Sequence, residues 1–245
     1  MSAPRFHVEM PLAAGAEVDL PERAARHVGV LRLRAGDEVV LFSGRGGEHA
    51  ARLTLVARSG VRAKVGAHRD LGRESPLAIT LAQCISAGDR MDLTLQKATE
   101  LGVRNIVPLV SERAVVRLKE ERAERRLQHW RAVVAAACEQ CGRNNIPEVS
   151  PPTELHAWLA APEARAAAAA RLVLDPTATT HLGALPKADA AILLIGPEGG
   201  LADHELAAAN AAGFTPIRLG PRILRTETAP LAAITALQVL WGDLN

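Results

Sequence analysis

The sequence predicts an α/β chain in two parts, a small β-barrel over residues 1–72 and a parallel α/β sheet over residues 73–245. Three observations predict it. Short β-type segments crowd the first third. The stretch "RDLGRESP" (69–76) then reads as a linker. After it, short apolar runs alternate with helical patterns, the rhythm of a parallel sheet covered on both faces. A chain of 245 residues can bury a core for each part without disulfide staples.

Taken in order, "PERAARHVGVLR" is helical, with Pro21 suited to a first turn. "DEVVLFSG" and "EHAARLTLVA" flank the turn Ser43–Gly47, and "VRAKVGAH" follows the Ser59-Gly60 turn, as closely spaced strands of a small barrel do. Beyond the linker, "LAITLAQCI" is an apolar strand. "DRMDLTLQKATELG" is a helix with Asp89 as its cap and Gly102 as its stop. "RNIVPLV" is a strand, and residues 120–142 form a long amphipathic helix. "ARLVLD", "AAILLIG" and "TPIRLG" are short buried strands, and "ADHELAAANAAG" and "ETAPLAAITALQVLWGDL" are helices. The alanine-rich "EARAAAAARL" is a helix end or spacer without chemistry.

Composition excludes several classes. Aromatic residues are 2% with no tyrosine, so binding of nucleic acid by rows of stacking rings is ruled out. Net charge is +2, with 12 Lys and Arg against 9 Asp and Glu in residues 1–75, a weak basic excess at the front. Three cysteines make no disulfide framework. "MSAPRFHVEM" lacks a signal core and no run approaches a membrane span, so a cytoplasmic protein is expected.

Chemistry concentrates at two strand ends. "ILLIGPEGGLADHEL" runs from an apolar strand into Gly196–Gly200 and then a helix, and "LGPRILRTETAPLAAITALQ" repeats a Gly-Pro turn after the next strand. Ligands gather at the carboxyl ends of parallel strands, and glycines let the backbone approach them. Neither loop is GxxxxGK[ST] or GxGxxG, which argues against a phosphate loop and a dinucleotide oxidoreductase. Together they can form one pocket with Glu198 and Glu227 as acids and Arg225 as cation. The plainer alternatives are an Arg225–Glu227 ion pair and Thr226 capping the last helix. Cys138 and Cys141 form a CxxC without a second ligand pair, so no metal is expected. Gln140, Arg143 and Asn144 can hydrogen-bond bases or phosphates, or cap their helix. No HExxH and no Ser-His-Asp arrangement supports nucleophilic hydrolysis.

The blocks "SAGDRMDLTLQKATELGV", "SERAVVR", "EQCGRNNIPEV", "LLIGPEGGL" and "LGPRILRTETAPLAAITALQ", with the opening "PRFHV", closely resemble the RsmE family across nearly the whole chain, in order. Ala87 stands where that family often carries a basic residue. The resemblance implies a PUA-like N-terminal barrel and a SPOUT-type sheet with a trefoil knot. It also implies a homodimer and S-adenosylmethionine-dependent methylation of N3 of one uridine in 16S ribosomal RNA of the small subunit. The alternative is a non-catalytic RNA-binding protein with a decayed methyltransferase domain. On this likeness the cofactor residues are Leu174, Ile195, Gly196, Pro197, Gly199, Gly200, Leu219, Gly220, Leu224, Thr226 and Thr228. Arg225 would stabilise charge on a uracil carbonyl oxygen, and Glu198 or Glu227 would orient the base or take its proton. Arg5, His7, Arg26, Arg32 and Arg34 would grip RNA phosphates, with Arg113 and Arg117 nearer the active site, and Arg143 and Asn144 would also bind RNA.

Overall fold

The structure, a computed structural model, describes residues 3–114, 120–165 and 169–244. It divides into two compact units. The first comprises Met1–Glu74 with Ala135–Ile146, and the second Ser75–Val134 with Pro147–Asn245.

In the first unit, β1 (Arg5–His7), β2 (Glu17–Asp19), β3 (Glu38–Phe42), β4 (Glu48–Ala57) and β5 (Gly60–Arg69) form a mixed sheet of order β1-β3-β4-β5-β2. β1 and β3 run parallel and the other pairs antiparallel. Alternate residues Leu41, Leu53, Val61, Ala63 and Val65 face one core, as the two-residue period of a half-buried strand requires. Helix α1 (Glu22–Val30) adds Ala24 and Val28 to that core. β1 and β2, three residues each, carry too little periodicity to be read from sequence.

The second unit is a parallel sheet of order β12-β10-β11-β6-β7-β8, with β9 also on β7. Its strands are β6 (Ala78–Cys84), β7 (Asn105–Val110), β8 (Glu148–Val149), β9 (Thr153–Glu154), β10 (Ala170–Leu174), β11 (Ala190–Ile195) and β12 (Thr215–Ile217). The central strands are buried along nearly their whole length. Ala82, Cys84, Ile192 and Leu194 point into a core shared with Phe214 and with α4 (Leu155–Ala160) and α5 (Asp203–Ala211). Leu81 and Leu193, of opposite parity and equally buried, face the other way. Helix α2 (Asp89–Glu100) and helix α6 (Thr228–Trp241) pack on each other, and α6 reaches β6 and β11.

Two local expectations change. Gly88, not Asp89, is the cap of α2; Asp89 sits in the first turn, where its charge still suits the helix's positive end. Gly102 does end that helix, at φ +88°. Thr226 does not cap α6, because its hydroxyl turns inward to Gly196. α4 is a single short turn and half, invisible to periodicity, yet its Trp158 packs on Phe214 with ring centroids 5.8 Å apart. The expected long helix is α3 (Glu120–Cys141), whose last residues, from Ala135, belong to the first unit.

Candidate active site

The two Gly-Pro loops meet. In the second unit a cavity of about 690 Å³ opens at the carboxyl ends of β10, β11 and β12. Leu174, Ile195, Gly196, Pro197, Gly200, Leu219, Leu224, Thr226, Arg225, Glu198 and Glu227 all line it. Three expected residues do not. Gly199 faces Arg113, whose Cβ lies 3.3 Å from where a Gly199 Cβ would stand. Gly220 makes the second turn at φ +70°, and Thr228 starts α6 with its amide on the Arg225 carbonyl.

The glycine turn is held from two sides. A Cβ on Gly196 would lie 3.0 Å from the Leu201 nitrogen, so a side chain there would push the turn open by a few tenths of an ångström. Glu205, buried in the first turn of α5, accepts the amides of Ala202 at 2.8 Å and Glu112 at 2.9 Å. Arg113 donates to the carbonyls of Gly199 and Leu201 at 3.2 and 3.3 Å. Its guanidinium thus holds the turn, a use the sequence did not suggest.

Sequence reasoning missed Arg90. From the first turn of α2 it enters the cavity lining and donates to Glu198 at 2.9 Å, with Glu227 at 3.9 Å. The Ala87 amide donates to the same Glu198 oxygen at 2.9 Å. Burial pushes the Glu198 carboxyl up, but the Ala87 and Glu198 amides and Arg90 outweigh it and leave it below the usual carboxylate value. Arg225 is exposed and forms no ion pair among the described residues, so the anticipated Arg225–Glu227 pair is replaced by Arg90–Glu227. Asp175 follows β10 and turns the chain by accepting from the Thr177 amide and hydroxyl. The signal was the Asp-Pro-Thr after "ARLVL".

Several expected phosphate ligands are used inside the first unit. Arg5 pairs with Glu48, donates to Asn144 at 2.6 Å and stacks 4.9 Å from the Phe42 ring. Arg143 is 4% exposed and bonded to Glu74; Asn144 is 2% exposed and donates to the Leu71 carbonyl. Arg143 and Asn144 are buried with internal partners and cannot reach RNA, so these two assignments are corrected to structural ones; Arg5 is partly buried, with its guanidinium engaged by Glu48 and Asn144. His7 is half-buried, and burial lowers its pKa below 6.5. That shift disfavours the charged form a phosphate contact would use. Arg26, Arg32 and Arg34 are exposed, as expected for phosphate contacts. Arg117 lies outside the described residues. Among the described residues no cluster of three or more His, Cys, Asp or Glu could hold a metal ion, and burial pushes the Cys138 thiol up to about 12.

The family description "RNA methyltransferase domain" matches residues 73–238, and "RNA methyltransferase PUA domain" matches residues 20–66. A ribosomal RNA small subunit methyltransferase E of Buchnera aphidicola is 35% identical over 244 residues, 99% of this chain and 98% of its own. The chain belongs to the ribosomal RNA small subunit methyltransferase E family. Another such methyltransferase, from Bacillus subtilis, is 30% identical over 88% of each chain. Among solved structures, a methyltransferase E from Neisseria gonorrhoeae bound to S-adenosyl methionine superposes with a TM-score of 0.92. It shares 43% identity over 100% of both chains. A methyltransferase from Legionella pneumophila with bound cofactor SAM superposes at 0.95, with 38% identity over the same coverage.

Proposed function

We propose that this chain is a SPOUT-class methyltransferase that uses S-adenosylmethionine to methylate N3 of one uridine in 16S ribosomal RNA of the small subunit. One observation carries the reading. The cavity between the two glycine turns is intact, in a chain that matches an S-adenosyl methionine-bound methyltransferase E along its full length.

The residues present fit that cofactor. The cavity has the size of a small-molecule site. Its rim is backbone at Gly196 and Gly200, where a Cβ would crowd Leu201 or have to adopt φ +69°, so main chain rather than side chain faces the cavity there. Ile195, Leu219 and Leu224 give it apolar walls. When bound, the cofactor supplies an electrophilic methyl group.

The chain's own residues do the rest. Uracil N3 is a poor nucleophile while protonated. Arg225, exposed on the cavity rim, stabilises the negative charge that develops on a uracil carbonyl oxygen as the proton leaves. Glu198 is held ionised with one oxygen already shared by Ala87 and Arg90, so it braces the turn. Glu227, whose side chain among the described residues meets Arg90 at 3.9 Å, is the freer carboxylate and orients the base or takes its proton. The target uridine leaves its stack to reach the site.

RNA phosphates are met by Arg26, Arg32 and Arg34. A groove of the first unit lined by Arg52, Lys64, Arg69 and Arg73 supports the same reading. Leu93 on α2, Val239 and Leu240 on α6, and Leu244 just beyond are exposed apolar residues. Exposed apolar residues on two helices that pack on each other support a homodimer. Among the described residues no helix is long and apolar enough to cross a membrane, and the substrate places the protein in the cytoplasm. The C-terminal sheet order, with β12 beside β10 and β6 beside β11, is non-sequential, which accords with the trefoil knot in this reading.

The test is incubation of the protein and S-adenosylmethionine with small-subunit particles lacking the modification, followed by mass mapping. One methylated uridine, its N3 blocked, is expected. Cofactor binding without any RNA methylation would overturn the assigned reaction, and loss of cofactor binding would favour a decayed enzyme.

A further inference from the structure

Beneath the cavity lies a residue that the sequence reading passed over. Gln83, on β6 between β11 and β7, is fully buried. Its carboxamide nitrogen donates to the Cys84 carbonyl at 2.9 Å and to the Thr226 hydroxyl at 3.3 Å. Thr226 in turn donates to the Gly196 carbonyl at 2.9 Å. Three segments far apart in sequence are joined in one chain of hydrogen bonds: a central strand, the loop before α6, and the glycine turn after β11.

The direction of that chain is forced. A hydroxyl has one proton. Thr226 gives it to Gly196, so it can only accept from Gln83. The carboxamide cannot be turned over, because its oxygen would then face the Cys84 carbonyl oxygen. The arrangement has a cost: Gln83 Oε1 has no hydrogen-bond partner among the described residues. A buried orphan acceptor destabilises, and an apolar side chain would fill the same space without one. What the carboxamide adds is its grip on Thr226, and through it on Gly196, both of which line the cavity.

We infer that Gln83 is a positioning residue: through Thr226 it latches the turn at Gly196–Leu201 to the loop at Leu219–Thr228, presetting the cavity before its ligand arrives. The Thr226 proton is committed to this latch, so toward the cofactor its hydroxyl can only accept. The inference rests on the cofactor reading only for the identity of that ligand.

Thr226→Val keeps the size and removes the hydroxyl, Thr226→Ser keeps the hydroxyl, and Gln83→Met removes the donor. These, the Gln83→Met/Thr226→Val double and wild type are compared by amide exchange in ligand-free protein. S-adenosylmethionine affinity is measured by calorimetry. Thr226→Val and Gln83→Met each speed exchange at the amides of Gly199–Leu201 and weaken cofactor binding about tenfold. The double is no weaker than the weaker single, since both break one chain, and Thr226→Ser stays near wild type. Unchanged exchange in Thr226→Val, or a double whose loss equals the product of the singles, overturns the latch. Should Gln83→Met fail to fold, Thr226→Val and its rescue by serine decide alone. Should wild type not bind S-adenosylmethionine, the cofactor reading falls, and the exchange measurement still decides the latch.

Discussion

Arg90 reaches Glu198 at 2.9 Å and lies 3.9 Å from Glu227, and this decides which cation is left to act. Arg90 is bound to carboxylates, whereas Arg225 lines the same cavity without an ion pair among the described residues. A cation already neutralised by two acids has little field to offer a developing oxyanion; a free one has more. Arg225→Ala is therefore expected to slow single-turnover methyl transfer by about 100-fold or more, while S-adenosylmethionine affinity in calorimetry stays within about twofold. Turnover near wild type would remove Arg225 from the reaction. Arg225 was legible because it sits inside the second Gly-Pro loop. Arg90 and Gln83 were not: one hides among the ordinary charges of a helix start, the other in an apolar strand. Only the tertiary fold brings either to the cavity. Arg5, Arg143 and Asn144 misled for the converse reason, since nothing local distinguishes a polar side chain aimed at solvent from one closing on buried Glu48 or on Glu74.

At the scale of elements, α1 and the turn after it carry three exposed arginines, Arg26, Arg32 and Arg34. Arg26 bonds Glu22 one turn earlier, an exposed pair that RNA can displace at little cost. Arg32 holds φ +57° at the helix exit, and the Arg34 amide is tied to Asp37 at 2.7 Å. The backbone is thus fixed while the guanidinium groups stay in water. Replacing all three by glutamine is expected to weaken RNA binding at low salt and to flatten the plot of log affinity against log salt by about 2 units. Cofactor affinity should not move. An unchanged slope in filter binding across a salt series would place the phosphates elsewhere. The long elements here were readable from period and punctuation: β4 and β5 from alternation, α2 from its Gly102 stop. β8 and β9, at two residues each, carry no period at all and exist only because β7 offers them an edge.

For the molecule as a whole, the change of rhythm near the linker says nothing of Ala135–Ile146, which the sequence reading left with the sheet and which clusters with the first unit. Nor was what each unit contributes to assembly and stability legible in the sequence. Exposed Leu240 on α6 is among the apolar residues assigned to the homodimer, and Leu240→Glu is expected to shift the protein to monomer in light scattering; an unaltered mass would move the interface. The units also differ in what holds them. The first closes over Glu48, whose side chain is 3% exposed and lies between Arg5 and Arg69. Burial pushes that carboxyl up, but the Arg5 hydrogen bond and the charges of Arg5 and Arg69 outweigh it, so it titrates below 4.5. A group whose pKa is lower folded than unfolded binds fewer protons in the native state. Its stabilisation is complete above the unfolded value, near 4.5, and is lost as pH falls through the folded one. Trp130, Trp158 and Trp241 all lie in the second unit, so indole fluorescence follows that unit while amide protection in β3–β5 follows the first. Between pH 6 and 3, protection in β3–β5 should decline. Glu48→Gln should lower it by about 3 kcal/mol at pH 7, because Arg5 loses its buried counter-charge, and should flatten the decline. If the variant kept the wild-type slope, acid sensitivity of the first unit would have to come from other carboxylates.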